Sequence, residues 1–332
     1  MNDQKKPPFR WAILGCGSIA ERFAAAVNEL SDAALTAVGS RSAAKAAAFG
    51  ARFGAAHSYG SYEAAASDPA VDAVYVATPH PMHAELCLLG LNAGKAVLCE
   101  KPFTVSAAEL EEVIATARRR KLFLMEAMWT RFFPLMAEVR RMAAGGEIGE
   151  VRMIQADFGY RAGDDPENRA LSPALGGGGL LDVGIYPLSL ASMLFGAPTR
   201  AVGLAHLGET GVDEQAGLVL SYTGGRLAVL SCGVRTDTPQ EGYLLGTEGR
   251  IHIHAPWWKP SRLTIFRHWG DASETREIPF EGNGYRYQAA EVAECVRRGE
   301  TESKIMPLAE SLTLMQTMDD LRAQWGLRYP GE

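Results

Sequence analysis

Lys101, Asp182 and Tyr186 are the residues of this chain whose types and settings suit proton-transfer chemistry. Lys101 stands in Glu100-Lys101-Pro102, directly after the apolar run 96–99, which reads as a strand. In a doubly wound parallel sheet, ligands gather beyond the C-terminal strand ends, so a lysine here is aimed at a binding crevice. It can hydrogen-bond a substrate hydroxyl or lower the pKa of a neighbouring acid. Asp182 and Tyr186 lie four apart and share one face of a helix. A tyrosine serves as general acid/base once a cation brings its pKa down from about 10. The glycines at 176–179 permit close approach of the backbone to a ligand or another chain. The same residues also suit plainer roles: a surface lysine, a capping aspartate and a packed aromatic.

A second constellation lies near the N-terminus. Gly15-Cys16-Gly17-Ser18-Ile19-Ala20 matches G-x-G-x-x-[GA], after one apolar run and at the start of a helical pattern. The first glycine allows a tight turn, and the second lets backbone approach a pyrophosphate. The small Ala20 lets the helix lie close to the strand, with its N-terminus towards the phosphates. A carboxylate about 20 residues on would hold the ribose 2′-hydroxyl of NAD. No Asp or Glu occurs from Ala33 to Tyr62. The tip instead carries Ser40 and Arg41, with Ser42 and Lys45 as helpers, a set that suits a 2′-phosphate. The expected cofactor is therefore NADP, with use of NAD left open.

These residues need a scaffold. Residues 9–14, 35–38, 71–77, 96–99 and 122–125 read as strands, and 18–30, 42–53, 81–93 and 106–120 as helices. Alternation of this kind predicts an α/β fold, with an N-terminal Rossmann domain whose doubly wound parallel sheet is covered by helices. Beyond it, a helix is expected at 133–144, a long strand at 151–160 and a helix at 180–194. Short strands follow at 218–222, 226–231, 242–245, 250–254 and 263–266, then helices at 285–298 and 308–325. That order predicts an α+β domain with a large, mostly antiparallel open sheet. The boundary is placed between 1–128, which binds NADP, and 129–332, which binds substrate and dimerises. A cleft between domains is the default ligand site.

The composition narrows the function. The chain has 332 residues, 33 basic and 39 acidic, for a net charge of −6. A mildly acidic chain without a basic block predicts no nucleic-acid partner. Five scattered cysteines (Cys16, Cys87, Cys99, Cys232, Cys295) form no CxxC, which argues for a reducing cytoplasm and against a cysteine-built metal site. The polar stretch 1–10 has no signal-peptide core, and no segment reads as membrane-spanning. His252 and His254 alternate on a strand and could pair on a metal, but a packed or solvated pair is the expectation, and no metal is assigned. Trp257-Trp258 suits stacking on a sugar or an interface, and core or interface packing is the expectation.

Several motifs recur together. They are Gly15-x-Gly17-x-x-Ala20, Thr78-Pro79-x-x-x-His83, Glu100-Lys101-Pro102 and Gly178-Gly179-x-x-Asp182-x-Gly184-x-Tyr186. The chain resembles the glucose–fructose oxidoreductase/inositol dehydrogenase (Gfo/Idh/MocA) family over most of its length. The segment from Met125 to Pro134 (MEAMWTRFFP) and Leu181-Asp182-Val183-Gly184-Ile185-Tyr186 resemble the subgroup of dimeric dihydrodiol dehydrogenases and NADP-dependent D-xylose 1-dehydrogenases. Beyond residue 195 the main marker is Gly246-Thr247-Glu248-Gly249.

The resemblance implies roles. Lys101 is the catalytic lysine, with a cis bond to Pro102. Tyr186 replaces the histidine of most members and is the acid/base, and Asp182 bonds the lysine or the substrate. Thr78, Pro79, His80 and Glu100 line the nicotinamide ribose, and His83 belongs to the same cofactor motif. Trp129, Arg131 and Phe158 flank a small-molecule substrate: a sugar, polyol or cyclic diol. The resemblance also implies a homodimer or dimer of dimers paired through the large sheet. Two other readings share these residues: a carbonyl or imine reductase, and an NADP(H)-binding sensor without turnover.

Overall fold

The structure is a computed structural model, and it describes residues 7–268 and 273–332. The first six residues of the polar N-terminal stretch lie outside the described residues. The chain forms two compact units. The first holds the residues up to Thr104, Ala108–Trp129 and Glu281–Leu308; the second holds Val105–Ala107, Thr130–Phe280 and Ala309–Glu332. The segment Glu281–Leu308 therefore counts with the first unit, and a single cut after residue 128 does not describe it.

The first unit is built on six parallel strands: β1 Phe9–Leu14, β2 Ala33–Gly39, β3 His57–Tyr59, β4 Ala73–Val76, β5 Ala96–Glu100 and β6 Leu124–Ala127. Their order is β3-β2-β1-β4-β5-β6, with the reversal of direction beside β1. The interior strands β4 and β5 are buried at every residue, as expected of parallel strands covered on both faces. Helices α1 (Ser18–Asn28), α2 (Ala43–Phe53), α3 (Tyr62–Ala66), α4 (His83–Asn92) and α5 (Ala107–Arg120) alternate with them. Trp11, Phe23 and Tyr75 join strand and helix: Phe23 meets Trp11 edge-on at 5.1 Å and stacks on Tyr75. The segment from Glu281 is tied to this unit by polar contacts. Asn283 Nδ2 donates to Arg22 O at 2.7 Å, and Arg297 pairs with Asp32 at 2.5 Å.

In the second unit, α6 (Pro134–Ala144) precedes β7 (Val151–Gly159), and a π-helical turn, Leu180–Gly184, runs directly into α7 (Ile185–Phe195). The other strands are β8 Arg200–Leu207, β9 Asp213–Tyr222, β10 Arg226–Gly233, β11 Gly242–Gly246, β12 Gly249–Ile253, β13 Arg262–Arg267 and β14 Ser273–Glu277. They form one eight-stranded sheet, β14-β13-β12-β11-β7-β10-β9-β8. Only the β7–β10 pairing is parallel, so the sheet is mostly antiparallel, as expected. The helix α8 (Arg286–Arg297) belongs to the first unit, and α9 (Leu308–Trp325) lies mainly in the second.

Four elements were not expected from sequence. β8 was missed because Val202 and Leu204 make its outer face apolar too, which hides the alternation. β14 (SETRE) has no apolar residue, as suits a charged edge strand. β3 and α3 are three and five residues long, too short to show a period. One expectation needs correction. By length and composition the stretch Pro173–Phe195 is apolar enough to cross a membrane, with a mean hydropathy of 1.4. It is 89% buried in the fold, and core helices pass the same test.

Candidate active site

The glycine turn leaves β1 with its geometry set by neighbouring backbone. Gly15 has φ +116°, and a Cβ there would stand 2.5 Å from Ala77 O, so only glycine fits. Its N–H donates to Gly39 O at 2.9 Å. Gly17 precedes α1 in extended conformation, and a Cβ on it would meet nothing within 4 Å. The first N–H groups of the helix, from Ser18, Ile19 and Ala20, have no partner within the helix. Ala20 is fully buried. Thr78 contributes a buried hydroxyl without a hydrogen-bond partner, beside the same turn. An open helix N-terminus and an orphaned donor suit a dinucleotide pyrophosphate.

The tip of β2 gathers the expected cationic corner. Burial raises the pKa of the Cys16 thiol, opposed by its hydrogen bond with Ser40 and the charge of Lys45. Burial likewise raises the Tyr62 phenol, opposed by the guanidinium of Arg41. Ser42 caps α2 by accepting the Lys45 N–H at 3.3 Å, and Ser40 Oγ accepts the Ser42 N–H at 3.2 Å.

The turn after β5 is anchored from below. Glu100 is buried and accepts a hydrogen bond from Tyr75 Oη and the Lys101 N–H. Burial pushes its pKa up to about 7, against the Tyr75 bond and the charge of Lys101. The Lys101–Pro102 bond is cis, as the resemblance implies. His83 is fully buried, and its ring joins two turns: Nδ1 lies 2.9 Å from Pro102 O and Nε2 2.9 Å from Thr78 O. With both nitrogens on backbone carbonyls, His83 links the Thr78-Pro79 and Lys101-Pro102 turns. His80 is also buried and meets His83 edge-on at 5.7 Å.

In the second unit, the glycine run serves the chain's own backbone. Gly178 has φ +112°, and a Cβ there would lie 2.3 Å from Asp213 Oδ1. Asp213 Oδ2 accepts the Leu180 N–H at 2.6 Å, starting the π turn. Burial pushes the Asp213 carboxyl up to about 7, against that hydrogen bond. The π turn holds Asp182, and Tyr186 follows on the first turn of α7. Both are buried, at 4% and 6% exposure. π turns of this kind recur at functional sites.

Asp182 is gripped from two sides. Tyr160 Oη donates to its Oδ2 at 2.6 Å, and Arg169 Nη2 reaches both carboxylate oxygens at 3.0 Å. Burial would lower the pKa of Arg169, but the charges of Asp182, Tyr160 and Tyr186 raise it overall. Burial and the Asp182 charge raise the Tyr160 phenol. Tyr186 stands in an aromatic wall. Phe158, on β7, meets it edge-on at 5.1 Å and stacks on Trp258 at 4.8 Å with the planes 3° apart. Trp258 is 6.4 Å from Tyr186 and donates from Nε1 to Gln240 Oε1 at 2.9 Å. A phenol is thus set against apolar ring surface, beside a carboxylate paired with a cation.

The comparisons with known proteins follow this division. Residues 9–128 match the description of an oxidoreductase family with an NAD-binding Rossmann fold, and 136–252 match that family's C-terminal domain. The chain belongs to the Gfo/Idh/MocA oxidoreductase family. It is similar to trans-1,2-dihydrobenzene-1,2-diol dehydrogenase from Mus musculus, with 38% identity covering 97% of this chain and 98% of the relative. The Homo sapiens enzyme of the same name is 37% identical over the same shares. Among solved structures, a 3-ketoreductase from Actinomadura kijaniata, in complex with NADP and TDP-benzene, is similar at a TM-score of 0.85 and 30% identity, covering 95% of this chain and 97% of that one. An aldose–aldose oxidoreductase from Caulobacter crescentus complexed with glycerol reaches 0.87 at 26% identity, covering 96% and 98%.

For this Gfo/Idh/MocA protein, an NAD(P)-dependent oxidoreductase, the second unit brings together Phe158, Asp182 and Tyr186. It adds Tyr160 and Arg169, which the sequence reading missed, and Trp258, for which packing was the preferred reading over stacking on a sugar. Tyr160 is two beyond Phe158 in sequence, a spacing that hinted at a shared side. Arg169 lies in an irregular stretch and carried no signal. Trp129 and Arg131, also named as substrate contacts, are both buried. Trp129 is buried in the first unit, stacked on Tyr285 at 4.5 Å. Arg131 is 2% exposed and donates to Ser189 Oγ and O at 2.8 Å and to Glu310 at 2.5 Å. The enclosed guanidinium ties α7 to Glu310.

Proposed function

We propose that this protein is an NADP-dependent oxidoreductase that moves a hydride between the cofactor and a hydroxyl of a sugar or cyclic diol. The observation that carries the reading is Tyr186, set between the Phe158–Trp258 stack and the Asp182–Arg169–Tyr160 network. The names of the relatives support the substrate class: a dihydrodiol, a ketone and an aldose are neighbouring chemistries. When bound, the nicotinamide takes the carbon-bound hydrogen as hydride. Tyr186 takes the hydroxyl proton, with Lys101 and Asp182 assisting. Phe158 and Trp258 offer the apolar face of a sugar or diol a flat surface and exclude water. The test is absorbance of reduced nicotinamide with NADP⁺ and with NAD⁺ across aldoses, inositols and cyclic diols. NADP-linked turnover of D-xylose, D-glucose or a trans-dihydrodiol is expected. Silence across the panel, with NADPH binding intact, favours the reductase or sensor readings.

Cofactor choice rests on Arg41. Arg41→Ala is expected to raise KM for NADP⁺ by about tenfold or more, the worth of a hydrogen bond to a charged group, and to leave NAD⁺ nearly unchanged. Equal losses with both would remove Arg41 from the 2′-phosphate site.

The assembly we propose is a homodimer or dimer of dimers joined through the outer face of the eight-stranded sheet. Val202, Val219 and Val229 stand in register across β8, β9 and β10 and are 38%, 42% and 40% exposed, and Leu204 is 85% exposed. A contiguous apolar row of this kind marks an interaction surface. Sedimentation at micromolar concentration is expected to give at least a dimer, and a monomer would refute it. The free cysteines fit a reducing cytoplasm.

A further inference from the structure

We infer that Glu241, His252 and His254 form a binding site for a divalent transition-metal ion on the outer face of the eight-stranded sheet. On β12, Ile251 and Ile253 point into the core, so His252 between them points outward. Tyr243 of β11 and Thr264 of β13 are its cross-strand neighbours. Glu241 immediately precedes β11 and His254 immediately follows β12. One ligand atom from each of the three lies within 4.8 Å of the others.

Three observations turn this cluster into a site. First, His252 Nε2 is buried and faces Glu241 Oε1 at 3.2 Å. Bonds of about 2.0–2.2 Å from imidazole and carboxylate to zinc place two tetrahedral ligands roughly 3.3–3.5 Å apart. The separation of these two atoms is close to such an edge, so an ion can replace the proton shared between them. Second, the ligands are oriented by outer partners, as in built metal sites. Tyr243 Oη donates to Glu241 Oε2 at 2.7 Å, leaving Oε1 for the ion, and the same ring stacks on His252 at 4.3 Å. Third, His254 Nε2 lies 2.8 Å from Thr264 Oγ1, itself 2.9 Å from Thr275 Oγ1. With Nε2–H donating along this hydroxyl chain, Nδ1 presents its lone pair. Arg262 Nη2 stands 3.4 Å from that nitrogen on an exposed side chain, which an incoming cation displaces to solvent.

Two imidazoles and one carboxylate suit zinc, nickel or cobalt more than calcium or magnesium, which prefer all-oxygen sites. A fourth position is left for water or a further ligand. The site shares no residue with the Tyr186 cluster, so it stands or falls apart from the proposed reaction.

The test is titration of the chelator-treated full-length protein with Co²⁺. The expected result is saturable visible absorbance of four- or five-coordinate cobalt at one ion per chain, bleached by Zn²⁺. His252→Gln and His254→Gln should each abolish it with circular dichroism unchanged. Tyr243→Phe should weaken affinity by about tenfold through its outer role. Two results overturn the inference: no saturable cobalt absorbance in the wild type, or absorbance that both histidine variants retain.

Discussion

Tyr186→Phe is expected to lower kcat by roughly 10²–10⁴, the usual worth of a positioned general acid/base. The substitution removes one oxygen and keeps the ring, so the edge contacts with Phe158 and Trp258 and the burial of α7 persist. Folding should be unaffected, and cofactor affinity should hold because the glycine turn belongs to the other unit. The measurements are kcat with the best substrate from the panel, and NADPH affinity by fluorescence. A loss of kcat below about tenfold would refute the acid/base role. A parallel fall in NADPH affinity would show instead that the variant disturbs more than proton transfer.

Arg131→Met is expected to cost about 3–5 kcal/mol of stability, because it strands a partly buried carboxylate. Glu310 accepts from Arg131 at 2.5 Å and from Ser192 Oγ at 2.6 Å, and its side chain is 19% exposed. Burial raises its pKa, but the Arg131 hydrogen bond and charge outweigh that and hold it below the ordinary value. The sign follows from linkage. A carboxyl with a lowered folded pKa contributes stability above its unfolded pKa and loses it as the pH falls through the folded one. Without Arg131 the same burial favours the protonated acid, so the deficit of the variant should narrow as pH falls towards about 4.3. Urea unfolding at neutral and acidic pH checks both, and the double variant Arg131→Met/Glu310→Gln should recover part of the loss. A single variant as stable as the wild type at neutral pH would sink the structural assignment of Arg131.

The two arginines mark what could be read in advance. Arg131 lies in a family-like segment, which marks it as a substrate contact, and Arg169 lies in an irregular stretch that carries no signal. In the fold Arg169 reaches Asp182, while Arg131 is closed in by Ser189 and Glu310. The adjacent tryptophans behave the same way. Trp257 is fully buried and donates to Asp157 O at 2.7 Å, whereas Trp258 turns to stack on Phe158. Both lie in the turn between β12 and β13, where the backbone sends identical neighbours to different partners. The glycine run is expected to admit a ligand or another chain, and the group that approaches Gly178 is Asp213 of the same chain.

The sequence by itself determined the local machinery: the Gly15–Ala20 turn after β1, the cationic tip at Ser40 and Arg41, the alternation that makes a parallel sheet, and the family to which Lys101, Asp182 and Tyr186 belong. Each is written in residue types at short, fixed spacing, where backbone sterics and periodicity leave few alternatives. Only the tertiary structure decided who meets whom. It brought Tyr160, Arg169 and Trp258 to the Asp182–Tyr186 turn, closed Arg131 in with Ser189 and Glu310, returned residues 281–308 to the first unit, and set Glu241 beside His252 and His254. Those meetings join residues far apart in the chain, and they depend on strand register and on which face of each element is buried, information that no short window of sequence contains.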